Sequence, residues 1–155
     1  MDEIIRVRQG RCSEYSAVLY QMILSLGWRA RLIVDWTDHV WVEALLPARG
    51  RQKHKGAPSM LDSTVTARAS RRSRVAIHKW IHLDPCEGAV DEPKLYHDWG
   101  KNHTYIIAVE NGKVTDVTAK YTSDWNAALG RRELSQEKVR QILHRFRKKC
   151  HPQIV

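Results

Sequence analysis

Residues 39 to 45, HVWVEAL, constrain the fold of this chain more than any other stretch. In an extended run successive side chains point to opposite faces. His39, Trp41 and Glu43 therefore share one face, and Val40, Val42 and Ala44 share the other. An apolar back and a front of imidazole, indole and carboxylate make a cleft wall rather than a core strand. Other runs follow the same rule. RARLIVD (29–35) alternates Leu32 and Val34 with polar neighbours. In VAIHKWIHLDPCE (75–87), His78, Trp80, His82 and Asp84 face one way and Val75, Ile77, Ile81 and Leu83 the other, with Lys79 the exception. Pro85 ends that run and leaves Asp84 at its tip. HTYIIAVENGKVTDVT (103–118) is two β-rich segments joined by Asn111-Gly112, a strong hairpin signal.

Two helical patterns flank the strands. In GRCSEYSAVLYQMILSLGW (10–28), Tyr15, Val18, Leu19, Met22, Ile23 and Leu26 recur at helical spacing, and Gly27 supplies a left-handed stop. Leu134-Ser135 opens a second helix, with Ser135 as N-cap, Leu134 stapled to Val139, and Val139, Ile142, Leu143 and Phe146 on one face. Helix, antiparallel sheet, helix is an α+β order in which the first helix packs on the sheet. The expected division is a core over 1–125, interrupted by an insertion at 49–74, and a helical extension over 126–155.

With 155 residues, 43% of them hydrophobic and 28% charged, the chain has the composition of one globular domain. Its first fifteen residues are too polar for a signal peptide and no apolar run reaches spanning length, so a soluble intracellular protein is expected. The net charge of +9 invites a nucleic-acid reading. Most of that charge lies in 49–79 and in RFRKK at 145–149, and 49–79 contains no Phe, Tyr or Trp to stack on bases. A solvated basic loop is the preferred reading of that block.

The three cysteines, Cys12, Cys86 and Cys150, form no CxxC and cannot all pair, so their interest lies in reactivity. Cys12 falls in the first turn of its helix, where the positive end of the macrodipole favours a thiolate nucleophile. The plainer reading is a small buried hydrophobe. A nucleophilic cysteine needs a base, and the base an acceptor that fixes its tautomer. His39 at one strand's start and Asp84 at another's end supply both types, in the chain order Cys, His, Asp.

The flanking words add specificity. GRCSEYS, DWTDHVWVE, HLDPCE, YHDWGKNHTYIIAV and VTDVTAKY resemble, in this order, the catalytic core of the peptide:N-glycanases, deglycosylating members of the transglutaminase-like superfamily. The resemblance runs from about Ile5 to Tyr121 and more weakly through RRELS to Lys149. It implies a transglutaminase-like, papain-like cysteine core with Cys12 as nucleophile, His39 as base and Asp84 as the group orienting it. It further implies that Arg31, Glu43 and Glu87 contact the chitobiose end of a glycan, and that Trp41 and Trp99 line the cleft. Trp28, Trp36 and Trp80 receive no such role and are expected in the core; Cys86 is expected to be structural and Cys150 an incidental thiol.

The implied activity is an amidase that removes N-glycans from denatured glycoproteins in the cytoplasm, with the nucleus as a second location, within endoplasmic-reticulum-associated degradation. Proteasome-shuttle proteins are implied partners; a membrane or nucleic acid is not expected. Family members carry a zinc site of paired CxxC motifs upstream of the core. This sequence has no CxxC, so no metal or other cofactor is expected in it, and the segment is either lost or outside this piece. The insertion between His39 and Asp84 replaces a short hairpin; a longer loop at a hairpin tip leaves its strands free to pair. Two other readings compete. One is a transglutaminase-like protease or amidase acting on unglycosylated peptides. The other is a catalytically impaired remnant or a binding module, as in DNA-repair relatives that keep this scaffold, lose the triad and bind damaged DNA.

Overall fold

The computed structural model describes residues 2–47 and 78–149; the basic insertion, residues 75–77 and Cys150 lie outside them. Two helices come first, α1 (Asp2–Val7) and α2 (Cys12–Ser25). Strands β1 (Ala30–Asp35), β2 (His39–Pro47), β3 (His78–Asp84) and β4 (Ala89–Val90) follow, then α3 (Leu95–Asp98). β5 (Ile106–Glu110) and β6 (Lys113–Asp116) precede α4 (Thr118–Tyr121), α5 (Trp125–Gly130) and α6 (Gln136–Lys149). The strands form one sheet in the order β4-β3-β2-β1-β5-β6, with every pair antiparallel. β2 and β3 pair from Val42↔Leu83 to Pro47↔His78 on either side of the insertion. The fold is the expected α+β arrangement. No helix among the described residues is long and apolar enough to cross a membrane.

Local chemistry explains most boundaries. α2 ends where Gly27 takes φ +75: its N–H bonds Leu24 O at 2.9 Å and the Trp28 N–H bonds Ile23 O at 3.2 Å, the two bonds of a Schellman cap. Asn111 and Gly112 both have positive φ, 42 and 73, as a type I′ hairpin turn requires. At the head of α6, Ser135 Oγ accepts from Lys138 N at 3.2 Å.

The sheet is covered on both faces. On its back, Ile23 of α2 packs with Ala30, Val42 and Ala44, joined by Leu19, Tyr20, Leu32 and Leu83. On its front, Tyr96 of α3 and Tyr121 of α4 close over Ile33, Trp41, Ile106 and Ala108. This corrects the reading of 39–45 as a cleft wall: Trp41 and Glu43 are fully buried beneath short helices that leave no periodic trace in the sequence.

The buried stripe of α2 is also displaced from the expected one. Ser16 and Ile23 are buried, whereas Met22 is 51% and Leu26 66% exposed. Small Ser16 sits where the helix approaches the sheet, and its hydroxyl donates to the Val40 carbonyl at 2.8 Å. Tyr15, Val18 and Met22 instead share a shallow groove with Ile4 and Ile5 of α1. In α6 Val139 is buried but Phe146 is 52% exposed, so the expected apolar face packs only over its first turns.

Candidate active site

The site is assembled where α2 begins and the β1–β2 turn reverses the chain. Asp35 organises that turn: its carboxylate accepts from Thr37 N at 3.2 Å and Thr37 Oγ1 at 2.8 Å. His103 Nδ1 lies 3.1 Å from the same buried carboxylate, and Lys101 bridges Asp35 to Asp38 at 3.4 and 2.6 Å. Burial opposes ionisation of Asp35, but the bonds from His103 and Thr37 outweigh it and hold its carboxyl below the usual range. The turn is thereby pinned with Asp38 and His39 at the end of the sheet. Cys12 opens α2 beside it, with Sγ 4.0 Å from the Asp38 carbonyl oxygen.

Strand register supplies the second pairing. Val42↔Leu83 and Glu43↔His82, continued one step, bring Asp84 level with Trp41 and one diagonal step from His39 on the same face. His39 Nε2 is 2.6 Å from Asp84 Oδ2. That oxygen also accepts from the Tyr96 hydroxyl, while Oδ1 accepts from the N–H groups of Cys86 at 2.8 Å and Glu87 at 3.3 Å. Four donors match the capacity of a carboxylate. Burial works against the charge, yet the bonds from His39, Tyr96 and Cys86 prevail and hold Asp84 down at about 2. Asp84 in turn raises His39 above its ordinary value; burial opposes this, and Cys12 adds to it as a hydrogen-bonding and charged neighbour. The geometry brings Cys12, His39 and Asp84 together.

Two residues of this site carried no assignment in the sequence. Tyr96 is buried, stands edge-on to the His39 ring at 5.3 Å, and donates into Asp84. His82 is buried behind it, with Nε2 3.1 Å from the Tyr96 oxygen. Tyr96 sits on a single turn of helix, and His82 was legible only as a member of its strand's polar face. No local pattern says that either would meet Asp84.

The residues expected to contact sugar divide. Glu87 is exposed beside the Asp84 turn, and Trp99 is 61% exposed with its ring against Tyr96 at 5.9 Å, so both border the site. Glu43 does not reach the surface: its carboxylate is taken by Arg31, Lys120 and the Tyr121 hydroxyl, the last at 2.6 Å. Burial opposes its charge, and these partners still keep its carboxyl below the ordinary range. Trp41 lines no cleft either; its Nε1 donates to Tyr121 Oη at 2.8 Å inside the core. Arg31 is held between Glu43 and the face of Trp80, 4.2 Å from that ring's centroid. Trp28 and Trp36, expected in the core, are 51% and 73% exposed, because Trp28 lies in the connection from α2 to β1 and Trp36 in the β1–β2 turn. The Cys86 thiol is exposed, and the residue's structural contribution is its backbone bond to Asp84. Partial desolvation of its sulfur, with Asp84 nearby, pushes that thiol up to about 11. No three His, Cys, Asp or Glu side chains among the described residues converge as a metal cluster.

Comparison with known proteins agrees with this fold. The model of the Rad4 transglutaminase-like domain matches residues 36–153. The chain is similar to the peptide-N(4)-(N-acetyl-beta-glucosaminyl)asparagine amidase of Arabidopsis thaliana, 34% identical over 136 residues, which are 87% of this chain and 15% of that protein. The amidase of the same name from Gallus gallus is 31% identical over 150 residues, 96% of this chain and 19% of the other. That of Oryza sativa subsp. japonica is 35% identical over 117 residues, 75% and 20%. The chain thus spans a fifth or less of the length of these relatives.

Proposed function

The chain belongs to the Rad4 transglutaminase-like domain family, and from that premise we propose that it is the catalytic core of an amidase that releases N-glycans from asparagine. The observation carrying this reading is the half-buried His39–Asp84 pair, 2.6 Å between nitrogen and oxygen, beside a cysteine that opens a helix. His39 takes the Cys12 proton on Nδ1, since Nε2–H is committed to Asp84. The thiolate attacks the side-chain amide carbonyl of a glycosylated asparagine, and a C–S bond forms. N–H groups of the first turn of α2, Cys12's own among them, have no partner within the helix and can stabilise the oxyanion. As the C–N bond breaks, imidazolium His39 gives its proton to the departing glycosylamine, leaving a thioester on Cys12. Water deprotonated by His39 hydrolyses the thioester, and aspartate replaces asparagine. Glu87 and Trp99, at the open side, are the described residues best placed to meet the sugar; Glu43 acts only by holding Arg31.

Denatured N-glycoproteins are the proposed substrates and proteasome-shuttle proteins the proposed partners, in the cytoplasm or nucleus. Mass spectrometry of a denatured N-glycopeptide incubated with the chain tests the activity. The expected result is glycan loss with asparagine converted to aspartate, reduced to background in Cys12→Ala. Release of the glycan by the Cys12→Ala chain at the same rate would exclude the thioester route. A second reading, a binding module without chemistry, is favoured by one observation: the matched family model begins at Trp36, after Cys12. Intact glycopeptide together with unreactive Cys12 would support it.

A further inference from the structure

We propose that Tyr96 and His82 form a positioning relay behind the triad, in which His82 donates to the Tyr96 hydroxyl so that the hydroxyl's single proton is directed into Asp84. The inference deepens the reading of Cys12 as nucleophile and rests on it for its kinetic consequence. Proton bookkeeping assigns the direction of each bond. Asp84 is ionised, so it only accepts, and both His39 Nε2–H and Tyr96 O–H must donate to Oδ2. The hydroxyl has then spent its proton, and the contact with His82 Nε2 at 3.1 Å can be filled only by a hydrogen on that nitrogen. His82 Nδ1 has no partner among the described residues, which is the bare lone pair expected of a neutral Nε2–H ring. Burial, the leading cause, holds His82 down at about 4 and keeps it neutral across the physiological range.

The relay is packed rather than solvated. Tyr96 and His82 are both buried, their rings edge-to-face at 5.7 Å, and Trp41 lies 4.8 Å from Tyr96 and 5.8 Å from His82. Tyr96 therefore cannot swing to find water if His82 is lost. The charged and titratable groups around the pair are Cys86, Glu87 and Asp91 from the β3–β4 side, Glu43 and His39 from β2, and Lys120 and Tyr121 from α4. Lys101 and His103 lie 6.0 and 6.3 Å from the Tyr96 ring. None of them is within hydrogen-bond distance of the Tyr96 hydroxyl except through Asp84 and His82, so that hydroxyl, with the Cys86 and Glu87 N–H groups on the other oxygen, sets Asp84's orientation toward His39.

The test uses the full chain and does not require glycan release. Nitrogen-15 NMR of the unaltered protein reads the tautomer of His82 directly, and alkylation of Cys12 by iodoacetamide, resolved from Cys86 and Cys150 by peptide mass spectrometry, reads the armed nucleophile. The expected result is a neutral His82 protonated on Nε2 and a downfield, slowly exchanging His39 ring N–H. Tyr96→Phe and His82→Leu should lose that His39 resonance and slow Cys12 alkylation about tenfold, the weight of one hydrogen bond to a charged group. His82→Gln, which still offers an N–H at the same reach, should restore both. A His82 proton found on Nδ1, or unchanged alkylation in His82→Leu, would overturn the relay. If a variant fails to fold, the tautomer in the unaltered chain decides. A chain that shows the relay but releases no glycan keeps this inference and removes the amidase reading instead.

Discussion

Asp84 accepts four hydrogen bonds from three parts of the chain: a strand start, a helical turn and two backbone N–H groups of its own turn. Its carboxyl is held at about 2 against an ordinary 3.8, so the stability it contributes is present above pH 4 and is lost as pH falls through 2. His39 moves the other way. Raised from 6.5, it contributes stability that is full below that value and is lost as pH rises through its folded value. Imidazolium His39 should accordingly persist above pH 6.5. Asp84→Asn removes the largest cause of the shift. It should move the basic limb of the Cys12 alkylation profile down toward 6.5 and lower the rate at neutral pH roughly 10²- to 10⁴-fold. An unmoved limb would mean that the two side chains are neighbours without being coupled.

At the scale of elements, α2 decides where Cys12 sits. Its contact with the sheet runs through Ser16, Leu19, Tyr20 and Ile23, and the Ser16 hydroxyl ties it to the first residues of β2. Had the face centred on Met22 and Leu26 been buried, the helix would be rotated and Cys12 turned away from the β1–β2 turn. Ile23→Ala should therefore cost about 2–4 kcal/mol, while Met22→Lys should stay within about 0.5 kcal/mol, both from urea unfolding midpoints. The reverse ranking would restore the face that periodicity alone suggests. The helix stop at Gly27, the Asn111-Gly112 turn and the Ser135 cap were all readable in advance, because each depends on one residue's own backbone preference or hydroxyl.

Across the whole molecule, a sheet covered on both faces buries titratable side chains deep in its front layer, and this should show in its acid stability. His82 is depressed to about 4 from 6.5, chiefly by burial. The unfolded chain thus takes up a proton below pH 6.5 that the folded chain refuses until about pH 4. Folding should weaken by about 3 kcal/mol across that window. His82→Gln removes the titrating ring and should flatten the decline, measured as the urea midpoint at pH 6.5 and pH 4.5. An equally steep decline in the variant would assign the loss to other groups.

The sequence by itself determined the α+β class, the strands and their hairpin, and the capped helices, and it named Cys12, His39 and Asp84 as the candidates that the fold brings to one place. Strand alternation, turn glycines and unusual words such as TDHVW and LDPCE are local, and local chemistry reads them. The tertiary structure alone decided that Trp41 and Glu43 are interior, that Trp28 and Trp36 are not, and that Tyr96 and His82 stand behind Asp84. Those outcomes depend on α3 and α4, helices of one turn each, closing over a face that the strand pattern marks as polar. A single helical turn is too short to show a period, and a buried carboxylate looks like an exposed one until its partners arrive from Arg31 and Lys120, far apart in the chain. Period and propensity act over neighbouring residues; burial is settled by what packs on top.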